Sequence, residues 1–358
     1  MKLVRTEDAI GHVLCHDMTQ ILPGDGKGSP RYKGPRFKKG HVVTAEDVPV
    51  LLSMGKEHLY VWEAGLGMLH EDDAARRLAA LCLGPGCVAA GEPREGKIGI
   101  KAVHDGVFLV DSERLIAVND CEEVMVATRK GGFAVSAGDD LAGTRVIPLV
   151  VKESVVEAAE HAADVEKSGP LMRVEPWRLK SAAIIATGSE VAKGLIEDRF
   201  TPVVEAKLAR YGIATTWRAT PGDDMDALVA AINDARAAGV DMVVCTGGMS
   251  VDPDDNTPGA IKRAGARIVT YGAPVLPGAM LLVGYFDEKD AAGEARTVPV
   301  VGLPGCVMYN AATVFDLVLP RLVAGVEVRR RDLVQMGEGG LCLGCAECHW
   351  PNCGFGHC

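Results

Sequence analysis

The sequence predicts an α/β protein: a three-layer α/β/α domain on a mostly parallel sheet, preceded by a smaller β-rich region and followed by a cysteine-rich tail. Three observations predict it. Between Leu179 and Val323, short apolar runs alternate with amphipathic stretches at helical spacing, the pattern of βαβ units. Before residue 170, short strand candidates punctuated by Gly and Pro dominate. Five of the 11 cysteines fall within residues 342–358. The 358 residues suit two or three domains, and the pattern divides them as 1–170, 178–325 and 326–358.

Composition excludes several classes. With 48% hydrophobic and 24% charged residues, the chain is neither disordered nor fibrous. Cysteines crowded at one end do not make a secreted disulfide scaffold. Met1 to Asp8 lacks the apolar segment of a secretory signal, and no apolar run reaches about 18 residues, the length of a membrane span. A cytoplasmic chain with reduced thiols and no membrane partner is expected. The net charge of -10 argues against nucleic acid as a partner.

The elements follow in order. Residues 24–40, GDGKGSPRYKGPRFKKG, carry Lys27, Arg31, Lys33, Arg36, Lys38 and Lys39 against one acid, Asp25. Their five Gly and two Pro predict a loop, either solvated or a basic lid over an anionic ligand. Thr44 to Met54 reads as a short helix capped by Thr44, and Leu59 to Trp62 as a strand. Further strands are expected at Gly106–Val110, Glu123–Ala127 and Thr144–Val151, then a helical linker over 154–167. In the α/β domain, strands are expected at Ala182–Ala186, Ile213–Trp217, Asp241–Cys245, Arg267–Tyr271, Met280–Tyr285 and Val298–Val301. Helices are expected at Pro202–Tyr211, at Asp224–Ala238 with Leu228, Ile232 and Ala235 on one face, from Thr257-Pro258, and at Cys306–Val323.

Ligands of open α/β sheets sit beyond the carboxyl ends of the strands. Three loops lie there: Thr187-Gly188-Ser189-Glu190, the run Thr246-Gly247-Gly248-Met249-Ser250 continuing to Pro258, and Leu303-Pro304-Gly305-Cys306. Glycines let backbone N–H groups approach an oxyanion, and a helix N-terminus adds a favourable dipole. Asp252, Asp254 and Asp255, with Asp223 and Asp224 after the adjacent strand, offer hard oxygens for Mg²⁺ or acceptors for a guanidine-like heterocycle edge. Asp255, just before Thr-Pro, also suits a helix cap.

These stretches carry a resemblance. ATGSEV (186–191), PGDDMDAL (221–228), DMVVCTGGMSVDPDDNTP (241–258) and VVGLPGCVMYNA (300–311) resemble the molybdopterin-binding domain shared by molybdopterin adenylyltransferases and molybdopterin molybdenumtransferases. The likeness covers 181–324. It implies that Thr187, Gly188, Ser189 and Glu190 line the pterin or nucleotide phosphate, that Thr246, Gly247, Gly248, Met249 and Ser250 form the main phosphate loop, and that Pro304, Gly305 and Cys306 form the third. It implies catalytic carboxylates at Asp255 and at Asp223 or Asp224, aided by Mg²⁺. The expected ligands are molybdopterin or its adenylylated form and molybdate. The expected role is molybdate insertion into the molybdenum cofactor, by a protein forming homodimers. Two departures stand out. The family's Ser-Ala-Met-Asp-Gly-Tyr loop is here Ala102-Val103-His104-Asp105-Gly106-Val107, and its Gly-Asp in the second loop is Asp252-Pro253. They keep two alternatives open: a non-catalytic molybdopterin carrier or sensor, and a nucleotide pyrophosphate hydrolase on the same domain.

The tail spaces its cysteines as C-x₂-C-x₂-C-x₄-C-x₄-C. Cys342, Cys345, Cys348 and Cys353 suit Zn²⁺ or a [4Fe–4S] cluster, since soft thiolates favour both. His349 or His357 can replace one Cys for zinc, and Cys358 is an extra ligand candidate. Cys245, in an apolar strand, is expected in the core.

Overall fold

The computed structural model describes residues 2–22, 31–61, 67–250, 255–289 and 292–357. Two compact units result. One holds Met1–Ala102, Asp111–Arg129 and Asp139–Arg173; the other holds Val103–Val110, Lys130–Gly138 and Val174–Cys358.

The first unit is β-rich, with three sequence expectations corrected. Residues 32–37 of the basic segment are a strand, paired antiparallel with Met18–Leu22. The hairpin is anchored where Met18 and Phe37 enter a small core with Leu14, Leu51 and Val61. Lys27 and the rest of 24–30 lie outside the described residues, as does Trp62. The helix spans Asp47–Ser53, and Thr44 does not cap it. Instead Asp47 Oδ2 accepts the Thr44 N–H and hydroxyl, each at 2.8 Å. The expected linker is a packed helix, Glu153–Ala163, which buries Val156, Ala159 and Ala163. Arg77 ties it down, donating to Glu160 at 2.8 and 2.7 Å and to Glu153 at 2.9 Å. A four-stranded antiparallel sheet runs in the order Cys87–Ala89, Lys97–Ala102, Asp140–Val146, Val124–Thr128.

The second unit is built on a six-stranded sheet: β1 (Ser181–Ala186), β2 (Ala214–Ala219), β3 (Val243–Thr246), β4 (Arg267–Tyr271), β5 (Leu282–Lys289) and β6 (Ala295–Leu303). Their order across the sheet is β2-β1-β3-β6-β5-β4. The first four are parallel; β5 is antiparallel to both its neighbours, so β4 at the edge again runs with the first four. Successive residues of β1 enter opposite layers. Ala182 and Ile184 pack with Val204, Leu208, Phe315 and Val318 on one face. Ala183 and Ile185 pack with Leu228, Ile232 and Ala260 on the other. A strand buried on both faces explains why the sequence shows continuous apolar runs rather than alternation.

The expected single helix over 306–323 is two, Cys306–Tyr309 and Val314–Val323. Thr313 starts the second with a capping box shared with Asp316. A non-local contact holds the break. The buried Lys207 ammonium, on helix Phe200–Ala209, donates to Ala311 O at 2.8 Å and to both Asp316 oxygens at 2.7 and 2.8 Å.

The tail docks on this unit. Leu276 N–H donates to Gly340 O and Cys342 N–H to Leu276 O, each at 2.8 Å. Phe355 joins the core, 4% exposed, and the His357 ring stacks on Phe133 with centroids 4.1 Å apart. A Cβ on Gly356 would meet Leu317 Cδ2 at 2.5 Å, so only glycine permits this approach.

Candidate functional site

The three ligand loops emerge together at the carboxyl edge of the parallel strands. β1, β3 and β6 are direct neighbours in register, with Ala186 beside Thr246 and Thr246 beside Leu303. Hydrogen bonds then stitch the loops. The Thr187 N–H and hydroxyl both donate to Thr246 O at 2.9 Å. Gly247 N–H reaches Leu303 O at 3.4 Å. Thr257 Oγ1 donates to Gly247 O at 2.9 Å and its N–H to Gly248 O at 3.3 Å.

Gly247 and Gly248 have φ of +82° and +56°. A Cβ would lie 2.8 Å from Thr187 Oγ1 on the first and 2.7 Å from Thr257 Oγ1 on the second, so both threonines crowd against bare backbone. Met249 is buried against Gly302, while Ser250 is exposed. In the third loop Pro304 is buried, Gly305 is exposed, and a Cβ on Gly305 would meet nothing within 4 Å. Cys306 is half-buried, and burial pushes its thiol up, partly offset by backbone N–H groups of Cys306 and Val307. Glu190 is exposed on the first loop.

The neighbouring acids divide their work. Asp224 Oδ1 accepts the Ala227 N–H at 2.8 Å as the cap of helix Met225–Ala237. Asp223 Oδ2 accepts the Ser189 N–H at 2.7 Å, and its backbone carbonyl accepts the Asn256 side-chain amide at 2.8 Å. Asp223 is therefore the member of the pair tied to the ligand loops. Helix Thr257–Arg263 has Asn256 at its N-cap, without a side-chain cap bond. Asp255 is half-buried, near enough to Tyr271 for its charge to act on the phenol. Asp252, Pro253 and Asp254 lie outside the described residues.

Sequence reasoning did not single out Asn256, Thr257 or Tyr271 as site residues. Tyr271, at the carboxyl end of β4, donates to Met249 O at 2.8 Å and Ser250 O at 3.3 Å. β4 runs with the parallel strands, but β5 separates it from β6, so its carboxyl end opens on the same sheet edge as the three loops without neighbouring them in the ladder.

Among the described residues, no three His, Cys, Asp or Glu side chains come together as a metal-ligand set. For Mg²⁺ this is compatible, since that ion is commonly held by one or two carboxylates plus substrate phosphate oxygens. The tail is different. Cys342 is partly buried against the core, whereas Cys345, Cys348 and Cys353 are exposed free thiols. They do not form the closed set of four ligands that structural zinc or a cluster requires. Cys358 lies outside the described residues. Asp105 Oδ1 accepts the Ala137 N–H at 2.9 Å, a turn contact within its own unit. Cys245 is core, its thiol pushed up to about 12 by burial.

With this geometry in hand, residues 183–324 match the family described as "Probable molybdopterin binding domain". Residues 3–63 match a family described as a domain of unknown function. A molybdopterin adenylyltransferase from Pyrococcus furiosus is 29% identical over 130 residues, covering 35% of this chain and 76% of that protein. A CinA-like protein from Geobacter metallireducens is 36% identical over 88 residues, 24% of this chain and 21% of that one. A molybdopterin molybdenumtransferase from Staphylococcus aureus is 29% identical over 116 residues, 30% of this chain and 27% of that one. The chain thus spans about a quarter of the length of the last two.

Proposed function

From a chain whose residues 183–324 are a molybdopterin-binding domain of the kind found in molybdenum cofactor biosynthesis proteins, we propose a molybdenumtransferase-like activity. The protein binds molybdopterin or its adenylylated form across the three loops. It couples cleavage of the adenylate phosphoanhydride to joining of molybdate to the dithiolene.

The observation that carries this reading is the stitching of the loops. Thr187 holds the first loop to the second, Thr257 pins the second on itself, and Asp223 is bonded to the first, so a carboxylate and backbone N–H groups share one sheet edge. Fixed N–H groups stabilise charge as it develops on phosphate oxygens, without reorganisation at the moment of reaction. Asp223 and Asp255 supply hard oxygens that would hold Mg²⁺ together with the substrate phosphates. When bound, that ion neutralises phosphate charge. The tail thiols play no part in this reading. A homodimer is expected on the strength of the resemblance, and light scattering checks it.

The test is molybdopterin binding by the purified chain, followed by molybdate-dependent release of AMP from adenylylated molybdopterin. Absence of both sinks the proposal. Binding without release leaves a carrier. Hydrolysis of nucleotide pyrophosphates without pterin binding points to the hydrolase alternative.

A further inference from the structure

The carbonyls of the second loop are pinned one after another. Gly247 O takes the Thr257 hydroxyl at 2.9 Å and Gly248 O takes the Thr257 N–H at 3.3 Å. Met249 O takes the Tyr271 hydroxyl at 2.8 Å, with Ser250 O at 3.3 Å from the same oxygen. A trans peptide is planar, so a carbonyl fixed on one side fixes the next residue's N–H on the other. The N–H groups of Gly248, Met249 and Ser250 are therefore aimed away from Thr257 and Tyr271. Among the described residues these three N–H groups donate to no acceptor. Consecutive unspent N–H groups make an anion-binding concavity.

We propose that Tyr271 is a positioning residue for phosphate. Its hydroxyl holds the Met249 carbonyl and thereby presents the Ser250 N–H to the phosphate of the bound ligand. Tyr271 comes from an edge strand outside the three loops, and no family motif points to it. Burial, with Asp255 nearby, raises its pKa. The phenol therefore stays protonated, a donor, at neutral pH. Its hydroxyl donates to loop carbonyls, so its effect on ligand passes through the loop. The proposal deepens the reading above and depends on it only for the identity of the phosphate carrier.

The experiment compares the full chain with its Tyr271→Phe variant, which keeps the ring and removes the donor. Inorganic pyrophosphate is titrated calorimetrically. The fluorescent oxidised pterin derived from molybdopterin is titrated with and without its phosphate. Losing one hydrogen bond of about 1 kcal/mol should weaken pyrophosphate and the phosphorylated pterin by roughly five- to tenfold. The dephosphorylated pterin should bind both proteins equally, which a general loosening of the loop would not allow. Unchanged pyrophosphate affinity in the variant overturns the proposal. So does equal weakening of both pterin forms, or failure of the wild type to bind pyrophosphate. If the wild type binds pyrophosphate but neither pterin, and the variant still weakens pyrophosphate, Tyr271 keeps its role and the molybdopterin reading fails.

Discussion

The ligand-loop edge of the sheet and the cysteine tail belong to one compact unit, yet their chemistry-bearing groups are held in opposite ways. At the edge, side chains do the holding. Thr187 reaches Thr246, Asp223 reaches Ser189, and Lys207 reaches Asp316 from far along the chain. In the tail, backbone and aromatic contacts do it: Leu276 with Gly340 and Cys342, Phe355 in the core, His357 on Phe133. The thiols of Cys345, Cys348 and Cys353 are left exposed. The edge is fastened through its functional groups, whereas the tail is fastened without them. Removing a polar group should therefore damage the first and spare the second.

The largest effect tests the edge. Lys207→Met leaves the Asp316 carboxylate buried and unpaired, which should cost about 3–5 kcal/mol in urea unfolding. A loss under about 1 kcal/mol would mean the pair does not hold the helix break. Phe355→Ala should cost about 3–4 kcal/mol if the tail is part of the core, and an unchanged midpoint would detach it. Gly248→Ala places a methyl group at φ +56° against Thr257 Oγ1. It should destabilise the chain by about 1–3 kcal/mol and weaken pyrophosphate binding more than Tyr271→Phe does. Retained affinity would show that the loop tolerates a different backbone.

The smallest effect tests the tail. Replacing Cys345, Cys348 and Cys353 together with Ser should change stability by no more than about 0.5 kcal/mol, as for other surface substitutions. A drop of several kcal/mol, or stoichiometric metal in the purified wild type, would break the contrast between the two regions. Thiol labelling sharpens it. At pH 8 those three cysteines should react with alkylating reagents in the native state. Cys82 and Cys245, both pushed up to about 12 by burial, are almost wholly protonated and inaccessible until the chain unfolds. Mass spectrometry of labelled peptides reads the difference.

What was legible in the sequence is what local pattern encodes. The apolar runs of β1 and β3, the glycines of their loops, and the Thr-Pro start of helix Thr257–Arg263 all appear where pattern and composition put them. What escaped depends on partners distant along the chain. The helix break at 310–313 is held by Lys207. Asp223 and Asp224 are set apart by Ser189, which bonds the first, and by the capping bond of the second to Ala227. Tyr271 became visible only when its strand was placed at the sheet edge. The tail divides its signals. Its cysteine spacing is a local signal of metal ligation, while its anchors, Leu276, Leu317 and Phe133, come from distant segments.

The docking of Phe355 and Gly356 bears on how the protein can be dissected. Gly356 packs against Leu317 and Phe133, and strand Gly106–Val110, paired with Ala134–Val135, places Val107 and Leu109 beside Ala324 and Trp177. A fragment cut at 178 and 325 would keep every ligand loop and still lose Phe133, Val107, Trp177 and Phe355. Its apolar core would be opened to water. Such a fragment should aggregate or bind poorly for reasons unrelated to its chemistry, so assays of the isolated domain would report on a damaged scaffold.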